Sequence, residues 1–402
     1  GRCPVCGEWG TYVEEVLQRS DLTAKRSYSA RGLTGEAAQP KRLQEVVATE
    51  EMRLDMRNGE FNRVLGGGLV PGSLVLLGGE PGIGKSTLAL QVLMQQGERK
   101  TFYASGEESV RQIKLRAARL AGDAENLYLS SETSLERILD QVRELEPEIV
   151  VIDSIQTIAT GDVEASIGSL TQVRESATRI LEFAKTRNIP FIIIGHINKE
   201  GSLAGPKVLE HIVDTVLQFE GDQQYMYRIL RAQKNRFGST SEIGIYEMQQ
   251  NGLREVSNPS ELLLSTAREG LSGIAIAAAV EGVRPFLIEV QALVSTAAYG
   301  TPQRSSTGFD GRRLNMLLAV LEKRIGFKLL QKDVFLNIAG GLRVQDPSID
   351  LAVLAAVLSS NMDVPLDAGT CLCGEVGLAG EIRSVNRLEQ RIAEAEKLGF
   401  RR

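Results

Sequence analysis

The chain has 402 residues, 43% of them hydrophobic, and a formal net charge of −5, so it can bury cores for about two to three domains. The negative charge argues against a uniformly basic protein, although local basic stretches can still bind phosphate backbones. No run of about 18 apolar residues and no secretory pattern occurs, which predicts a cytoplasmic protein without a membrane partner. Four cysteines and two histidines argue against a disulfide framework and against a histidine-based catalytic metal site.

A C-x-x-C knuckle formed by Cys3 and Cys6 opens the chain. Two thiolates at this spacing supply half of a tetrahedral Zn²⁺ site. A redox dithiol is the alternative, but no βαβ pattern surrounds the pair. We therefore expect residues 1–13 to be part of a zinc ribbon whose first knuckle precedes residue 1, and the polar residues 14–42 to be a linker.

A phosphate-binding motif organises the next domain, residues 43–257. The segment GEPGIGKST matches G-x-x-x-x-G-K-[ST] between an apolar strand and a segment of helical period. Backbone N–H groups of the loop and the helix start would cradle a polyphosphate, the lysine would reach its β and γ phosphates, and the serine would hold Mg²⁺. The predicted ATP-binding residues are Gly79, Glu80, Pro81, Gly82, Ile83, Gly84, Lys85, Ser86 and Thr87.

Apolar strands alternate with helical segments through this domain, which predicts an α/β fold with a doubly wound parallel sheet. The predicted parallel strands cover residues 73–77, 101–104, 127–129, 149–153 and 190–194. Three later segments alternate in the manner of antiparallel strands that extend one edge, and they cover residues 213–219, 225–232 and 243–248.

Polar residues follow several of these strands, at the edge where ligands bind in such folds. Asp153 ends an apolar strand and is predicted to hold Mg²⁺ together with Ser86. Either Glu107 or Glu108 would polarise the attacking water, although the helix dipole alone also favours acids at a helix start. His196 would either sense the γ-phosphate or serve as a structural histidine.

Two basic stretches stand out. Lys234 and Arg236, in the block KNRFG, close an edge strand, and cations at i and i+2 share one face of a strand. We expect both to reach the phosphate site of a neighbouring subunit, which implies an oligomer, or else to protect the edge from aggregation. The stretch from Gln303 to Lys332 either binds a phosphate backbone or covers solvated helix faces.

Residues 258–402 are predicted to form a second domain of the α+β type. Paired strands are expected at 273–280 and 286–294, helices at 313–325 and 351–359, and a hairpin at 374–382. Cys371 and Cys373 lie in an apolar run and are expected in the core.

Taken together, these motifs resemble the bacterial RadA (Sms) family of recombination proteins. The resemblance rests on the segments CPVCGEWG, GEPGIGKST, YASGEES, IVVIDSIQT, GHINKEG and KNRFG, and on a C-terminal part similar to the Lon protease domain. It implies a RecA-like P-loop ATPase, built as a hexameric ring, that uses ATP and Mg²⁺ to move along single-stranded DNA. It also implies nucleoid association, branched recombination intermediates as substrates, a RecA-type recombinase as partner, and Zn²⁺ in the intact N-terminal module.

The resemblance further implies roles for single residues. Glu107 matches the water-activating glutamate, His196 the γ-phosphate sensor and Asp153 the Mg²⁺-associated aspartate. Lys234 and Arg236 match the paired trans-acting cations of DnaB-type ring helicases. DNA contacts are expected from Lys199, Lys234, Arg236, Arg304, Arg312 and Arg313.

The C-terminal domain departs from its protease relatives, which use a Ser–Lys pair. Ser348 matches the serine, but we expect Glu389 in the lysine position, where a carboxylate would repel the alkoxide. We therefore predict a proteolytically inactive domain that serves ring assembly. A Lon-type ATP-dependent protease and a nucleotide-gated ring switch without motor activity are the alternative functions.

Overall fold

The computed structural model describes residues 42, 52–120, 124–196, 207–221, 227–264, 270–297, 302–329 and 331–402. Thr49–Arg402 form one compact unit. The predictions for Cys3, Cys6 and Lys199 concern residues outside the described ranges. None of the helices within those ranges is long and apolar enough to cross a membrane.

A nine-stranded sheet forms the first part of this unit, in the order β3-β2-β4-β5-β1-β6-β7-β8-β9. Strands β1 to β6 run parallel, which confirms the predicted doubly wound sheet. The strands are β1 (Leu74–Gly79), β2 (Thr101–Ser105), β3 (Leu127–Ser131), β4 (Ile149–Asp153), β5 (Phe191–His196), β6 (Thr215–Glu220), β7 (Tyr227–Asn235), β8 (Ile243–Gln249) and β9 (Gly252–Glu255).

The direction of β6 differs from the prediction. It pairs in parallel with β1, with Thr215 opposite Val75, and only β7, β8 and β9 are antiparallel to their neighbours. The antiparallel assignment of residues 213–219 is therefore wrong. A short helix between β5 and β6 carries the chain back across the sheet, so that β6 enters in the same direction as β1.

Helices cover both faces of this sheet, which is why β1 and β4 are buried along their whole length. Serine side chains begin three of the helices by accepting a backbone N–H, at Ser109, Ser134 and Ser169. The helices are α1 (Gly59–Leu65), α2 (Lys85–Met94), α3 (Val110–Ala117), α4 (Leu135–Leu145), α5 (Leu170–Arg187) and α6 (Lys207–Ile212).

A five-stranded sheet in the order β12-β13-β11-β10-β14 forms the second part and has its own apolar core. The expected strand pair and hairpin are both present. Its strands are β10 (Ile274–Glu281), β11 (Arg284–Thr296), β12 (Arg304–Thr307), β13 (Lys332–Ile338) and β14 (Cys371–Leu372), with the hairpin β15 (Glu375–Val376) and β16 (Ile382–Arg383). Its helices are α7 (Pro259–Leu263), α8 (Gly311–Val320), α9 (Asp350–Met362) and α10 (Leu388–Lys397).

A buried ion pair joins the two parts. Nη1 of Arg284, at the start of β11, lies 2.6 Å from Oε2 of Glu60 in α1. Nη2 of Arg284 donates to the carbonyl oxygens of Val256 and Ser257, which follow β9. The same Glu60 oxygen accepts the backbone N–H of Ile245, so one carboxylate ties α1, β8 and β11 together.

Candidate nucleotide-binding site

The phosphate loop leaves β1 at the carboxyl edge of the sheet and turns directly into α2. Gly82 and Gly84 have φ of +77° and +113°, a region that favours glycine. A Cβ on Gly79 would lie 2.6 Å from the carbonyl oxygen of Phe219 in the neighbouring strand. The side chain of Ile83 is buried in the core and anchors the loop from behind. The glycine spacing of the motif is therefore a steric requirement of this loop.

The first turn of α2 presents an anion site. The helix begins at Lys85, and Gly84 before it has no side chain with which to cap the first N–H groups. Nζ of Lys85 donates to the carbonyl oxygens of Gly79 at 2.9 Å and Glu80 at 2.8 Å. Burial lowers the pKa of Lys85 to about 8, against the attraction of nearby carboxylates. The lysine is thus folded over the loop, where phosphate oxygens can replace its carbonyl partners.

An arginine from another strand also holds the loop. Nε of Arg228, a buried residue at the start of β7, donates to the carbonyl oxygen of Ile83 at 3.3 Å. In a trans peptide the C=O and the following N–H point in opposite directions. Fixing the Ile83 carbonyl behind the loop therefore aims the N–H of Gly84 away from Arg228.

Asp153 has the surroundings of a cation ligand. It is buried at the end of β4, beside Ser105 of β2. Its Oδ2 accepts the hydroxyl of Tyr103, whereas its Oδ1 is buried and has no hydrogen-bond partner among the described residues. No cluster of three or more His, Cys, Asp or Glu side chains suited to a metal occurs within those ranges. One carboxylate, the hydroxyl of Ser86 and substrate oxygens suit Mg²⁺, which is commonly held by few protein ligands, so the residues present fit this cation.

Glu107 meets two groups from neighbouring strand ends. The hydroxyl of Ser154 donates to Oε1 of Glu107, and Nε2 of His196 lies 3.1 Å from the same oxygen. Burial alone would raise the pKa of Glu107, but the hydrogen bonds of Ser154 and His196 and the charge of Lys85 outweigh it and lower the pKa. Glu107 is thus ionised at neutral pH, as a base that accepts a proton from water must be.

Glu108 has a different environment and is not placed as the base. Its Oε2 lies 2.8 Å from Nη2 of Arg116 in α3, and the same arginine nitrogen donates to the hydroxyl of Tyr103. The sequence does not decide which of the two glutamates is the base, and their different partners distinguish them. Ser154, Tyr103, Arg116 and Arg228 contribute to the site and are absent from the sequence prediction.

Lys234 and Arg236 lie at the opposite edge of the sheet from their own phosphate loop. The backbone N–H of Arg236 donates to the carbonyl of Asp214, whose own N–H donates to the carbonyl of Leu74, the first residue of β1. The loop follows the last residue of the same strand, Gly79. At about 3.3 Å per residue, the backbone of Arg236 is about 17 Å from the loop along the strand, and that of Lys234, which is level with Leu76, is about 10 Å from it.

Both cations have partners within the chain. Nζ of Lys234 donates to the carbonyl oxygens of Glu210 at 2.6 Å and Val213 at 2.7 Å, at the end of α6. The guanidinium of Arg236 is 53% exposed and lies 3.3 Å from Oδ1 of Asp214. Their action on a neighbouring subunit stays a prediction.

The arginines expected to contact DNA differ in their availability. Arg304 on the edge strand β12 and Arg312 at the start of α8 are exposed. Arg313 instead pairs through Nε and Nη2 with both oxygens of Asp350, a fully buried carboxylate. Its guanidinium is thus committed to the fold. Contact with DNA stays a prediction for all six expected residues, and of the three arginines in this paragraph Arg304 and Arg312 are the two with exposed side chains.

The group beside Ser348 is an arginine. Nη1 of Arg391 lies 2.6 Å from the buried Oγ of Ser348 and 2.7 Å from Oδ2 of Asp346. Glu389 is exposed, so its expected place in the lysine position is wrong. The two residues are two positions apart in α10 and therefore point to different sides of the helix. A guanidinium keeps its proton and cannot serve as a base for the serine.

The strand order, the phosphate loop, and Asp153 and Glu107 at the carboxyl edge define a RecA-like P-loop ATPase core. A family model described as an AAA domain matches residues 39–202. A second, described as subunit ChlI of Mg-chelatase, matches residues 303–402.

Relatives called DNA repair protein RadA match along the whole chain. The protein from Bacillus subtilis (strain 168) is 49% identical, and those from Listeria monocytogenes and Streptococcus pyogenes serotype M3 are each 50% identical. The alignments cover 100% of this chain and 88%, 87% and 87% of the relatives. The chain belongs to the RadA family, as its motifs predict. A solved KaiC-like protein of Pyrococcus horikoshii OT3 aligns with 51% of this chain and 99% of its own, at 21% identity and a TM-score of 0.43.

Proposed function

We propose that the chain is an ATP-driven motor of DNA repair, which moves along single-stranded DNA and extends branched recombination intermediates. One observation carries the proposal: Lys234 and Arg236 lie at the opposite edge of the sheet from their own phosphate loop. Cations so placed do not face their own phosphate loop, so a nucleotide phosphate that they bind would belong to another subunit. Nucleotide sites shared between subunits let hydrolysis in one site change the position of its neighbour, which is what a ring motor requires.

The residues of one subunit supply the hydrolytic half of such a site. The N–H groups at the start of α2 and Lys85 would bind the phosphates, and Ser86 and Asp153 would hold Mg²⁺. Bound Mg²⁺ would neutralise charge on the phosphate oxygens. Glu107 would take a proton from the water that attacks the γ-phosphorus, and the products are ADP and phosphate. The hydrogen bonds from Ser154 and His196 hold Glu107 in place and keep it ionised.

The second half of the site would come from the neighbour. Lys234 gives hydrogen bonds to carbonyl oxygens, which are neutral acceptors, so a phosphate is a stronger partner for its charge. Arg236 is exposed and would leave Asp214 for the same reason. A hexameric ring, a RecA-type recombinase partner, DNA contacts from Lys199, Arg304 and Arg312, and Zn²⁺ at Cys3 and Cys6 are part of this proposal through the family resemblance.

Mixing two inactive variants tests the shared site. A Lys85→Ala subunit lacks a working loop, and a Lys234→Ala subunit lacks a working trans cation. In a mixed ring, the loop of the second subunit meets the intact Lys234 of the first, so ATP hydrolysis should return. If the mixture never exceeds the separate variants, the cations do not act between subunits. Arg254→Ala, which removes an exposed cation from the edge strand β9 of the same sheet, is the matched control and should hydrolyse normally.

The effect of DNA separates the motor from its alternatives. Hydrolysis by the unaltered chain should rise with single-stranded DNA, and DNA affinity should fall steeply as salt increases. A rate of ATP hydrolysis that does not change with DNA would favour a nucleotide-gated ring switch. The Arg391 guanidinium beside Ser348 gives no support to a protease, and an unfolded substrate should stay intact with ATP.

A further inference from the structure

A chain of polar groups runs from the protein surface to Asp153. Tyr103 lies in the middle of β2, and its side chain is fully buried. Its hydroxyl donates to Oδ2 of Asp153 at 2.5 Å. Nη2 of Arg116 donates to the same hydroxyl at 3.1 Å and pairs with Oε2 of Glu108 at 2.8 Å, where Glu108 is one-third exposed. Each group therefore fixes the next one inward.

The hydroxyl of Tyr103 makes two hydrogen bonds that packing of the core does not require. The ring packs among apolar residues, where a phenylalanine would occupy the same volume. A carboxylate can only accept hydrogen bonds, so the hydroxyl is the donor to Asp153 and the arginine is the donor to the hydroxyl. Burying a polar hydroxyl costs free energy unless it is paired, and here both of its partners are charged.

The two carboxylate oxygens of Asp153 therefore differ in their hydrogen bonding. Oδ2 is occupied by Tyr103, whereas Oδ1 is buried without a hydrogen-bond partner among the described residues. An aspartate at the end of a strand could otherwise turn its carboxylate and satisfy either oxygen. A buried carboxylate oxygen left unpaired is costly, and a bound cation or a water that it holds would remove this cost.

We propose that Tyr103 is a positioning residue for Mg²⁺: by occupying Oδ2 it directs Oδ1 of Asp153 toward the cation. Arg116 and Glu108 hold the hydroxyl in place from α3. Outer partners of this kind commonly change metal affinity about 10- to 100-fold when they are removed. The proposal rests on the Mg²⁺ role of Asp153 and does not depend on DNA binding or on movement.

The test measures binding without hydrolysis. Affinity for adenylyl imidodiphosphate is measured by calorimetry with EDTA and with increasing Mg²⁺, and the ratio of the two affinities is the Mg²⁺-dependent gain. Tyr103→Phe should keep the affinity in EDTA within about twofold and reduce the Mg²⁺-dependent gain about 10-fold or more. Arg116→Met, which leaves the tyrosine in place, should reduce the gain less.

Tyr246→Phe is the matched control. Tyr246 is also fully buried, and its hydroxyl donates to Asn58 at 2.8 Å rather than to Asp153, so its loss should leave the gain unchanged. A gain in Tyr103→Phe within twofold of the unaltered chain would overturn the proposal. An equal loss of affinity with and without Mg²⁺ would also overturn it, because that result indicates a merely structural role.

Asp153→Asn separates this proposal from the function on which it rests. If Asp153→Asn keeps the full Mg²⁺-dependent gain, Asp153 is not a ligand and the proposed site chemistry fails as well. If Asp153→Asn loses the gain and Tyr103→Phe does not, only the positioning role of Tyr103 fails. Should Tyr103→Phe fold poorly, Arg116→Met tests the positioning with the core ring intact, and an unchanged Mg²⁺-dependent gain in that variant would overturn the proposal.

Discussion

Replacing Arg284 by methionine would leave a buried carboxylate without its cation. Arg284 is 8% exposed, and its partner Glu60 is 2% exposed. The guanidinium reaches Glu60 Oε2 and also the carbonyl oxygens of Val256 and Ser257. Methionine fills much of the volume but donates no hydrogen bond. Arg63, at 3.7 Å from the other Glu60 oxygen, is half-exposed and cannot replace the lost contact.

The magnitude follows from the burial of both charges. Removing one partner of a buried pair costs about 3–5 kcal/mol, because the other charge stays desolvated and unpaired. Glu60→Gln keeps an acceptor for the N–H of Ile245 and should cost about 1–3 kcal/mol. The double variant should cost less than the sum of the two, with a coupling of about 2 kcal/mol.

Urea unfolding followed by circular dichroism measures all four chains of this cycle. Arg254→Met is the matched control, because its pair with Glu247 is half-exposed and should contribute about 0–1 kcal/mol. A cost below about 1 kcal/mol for Arg284→Met, or strictly additive costs, would refute the claim that this pair stabilises the contact between the five-stranded and the nine-stranded sheet.

Three further predictions concern single contacts. Arg228→Met should weaken ATP binding about 10-fold, because the Ile83–Gly84 peptide loses its hydrogen bond to the guanidinium. Arg228→Lys should have an intermediate affinity for ATP. Equilibrium titration measures both affinities, and an unchanged affinity in Arg228→Met would contradict the prediction. Ser154→Ala should raise the pKa of Glu107, so the acid limb of kcat/KM moves to higher pH; a fixed limb would mean that Glu107 is not the base. Burial alone would raise the pKa of Glu136, but hydrogen bonds from Thr160 and others lower it to about 2. Glu136→Gln should therefore destabilise the chain at neutral pH, and the difference should vanish as pH falls from about 4.5 to about 2 in thermal unfolding; a constant difference would exclude the carboxylate charge as its cause.

The sequence predicts the residues at strand ends well, because long apolar runs mark where buried strands stop. Asp153, Glu107 and His196 all follow such runs, and the structure brings them to one edge of the sheet. Tyr103 and Arg228 lie within strands, where a polar group gives no sign of whether it reaches across to another element. Their roles depend on the strand order and register, which a single sequence does not determine.

Two errors have local causes. Whether β6 is parallel depends on α6 before it, a six-residue helix that is too short to give a clear periodic signal. Arg391, and not the expected Glu389, lies beside Ser348 because α10 starts at Leu388, after Arg387 in a left-handed conformation. At 100° per residue, a change of one or two positions in the helix start decides which side chain faces Ser348.

Strand β7 connects the phosphate loop with the opposite edge of the sheet. Arg228 at the start of β7 donates a hydrogen bond to the phosphate loop of the same chain, and Lys234 near the end of β7 lies at the opposite edge of the sheet. About six residues separate them, or about 20 Å of stiff backbone hydrogen-bonded on both sides. If the proposed shared site holds, β7 links the loop of one subunit to the cation that faces the phosphate of its neighbour, so a shift of the loop would be transmitted along this strand.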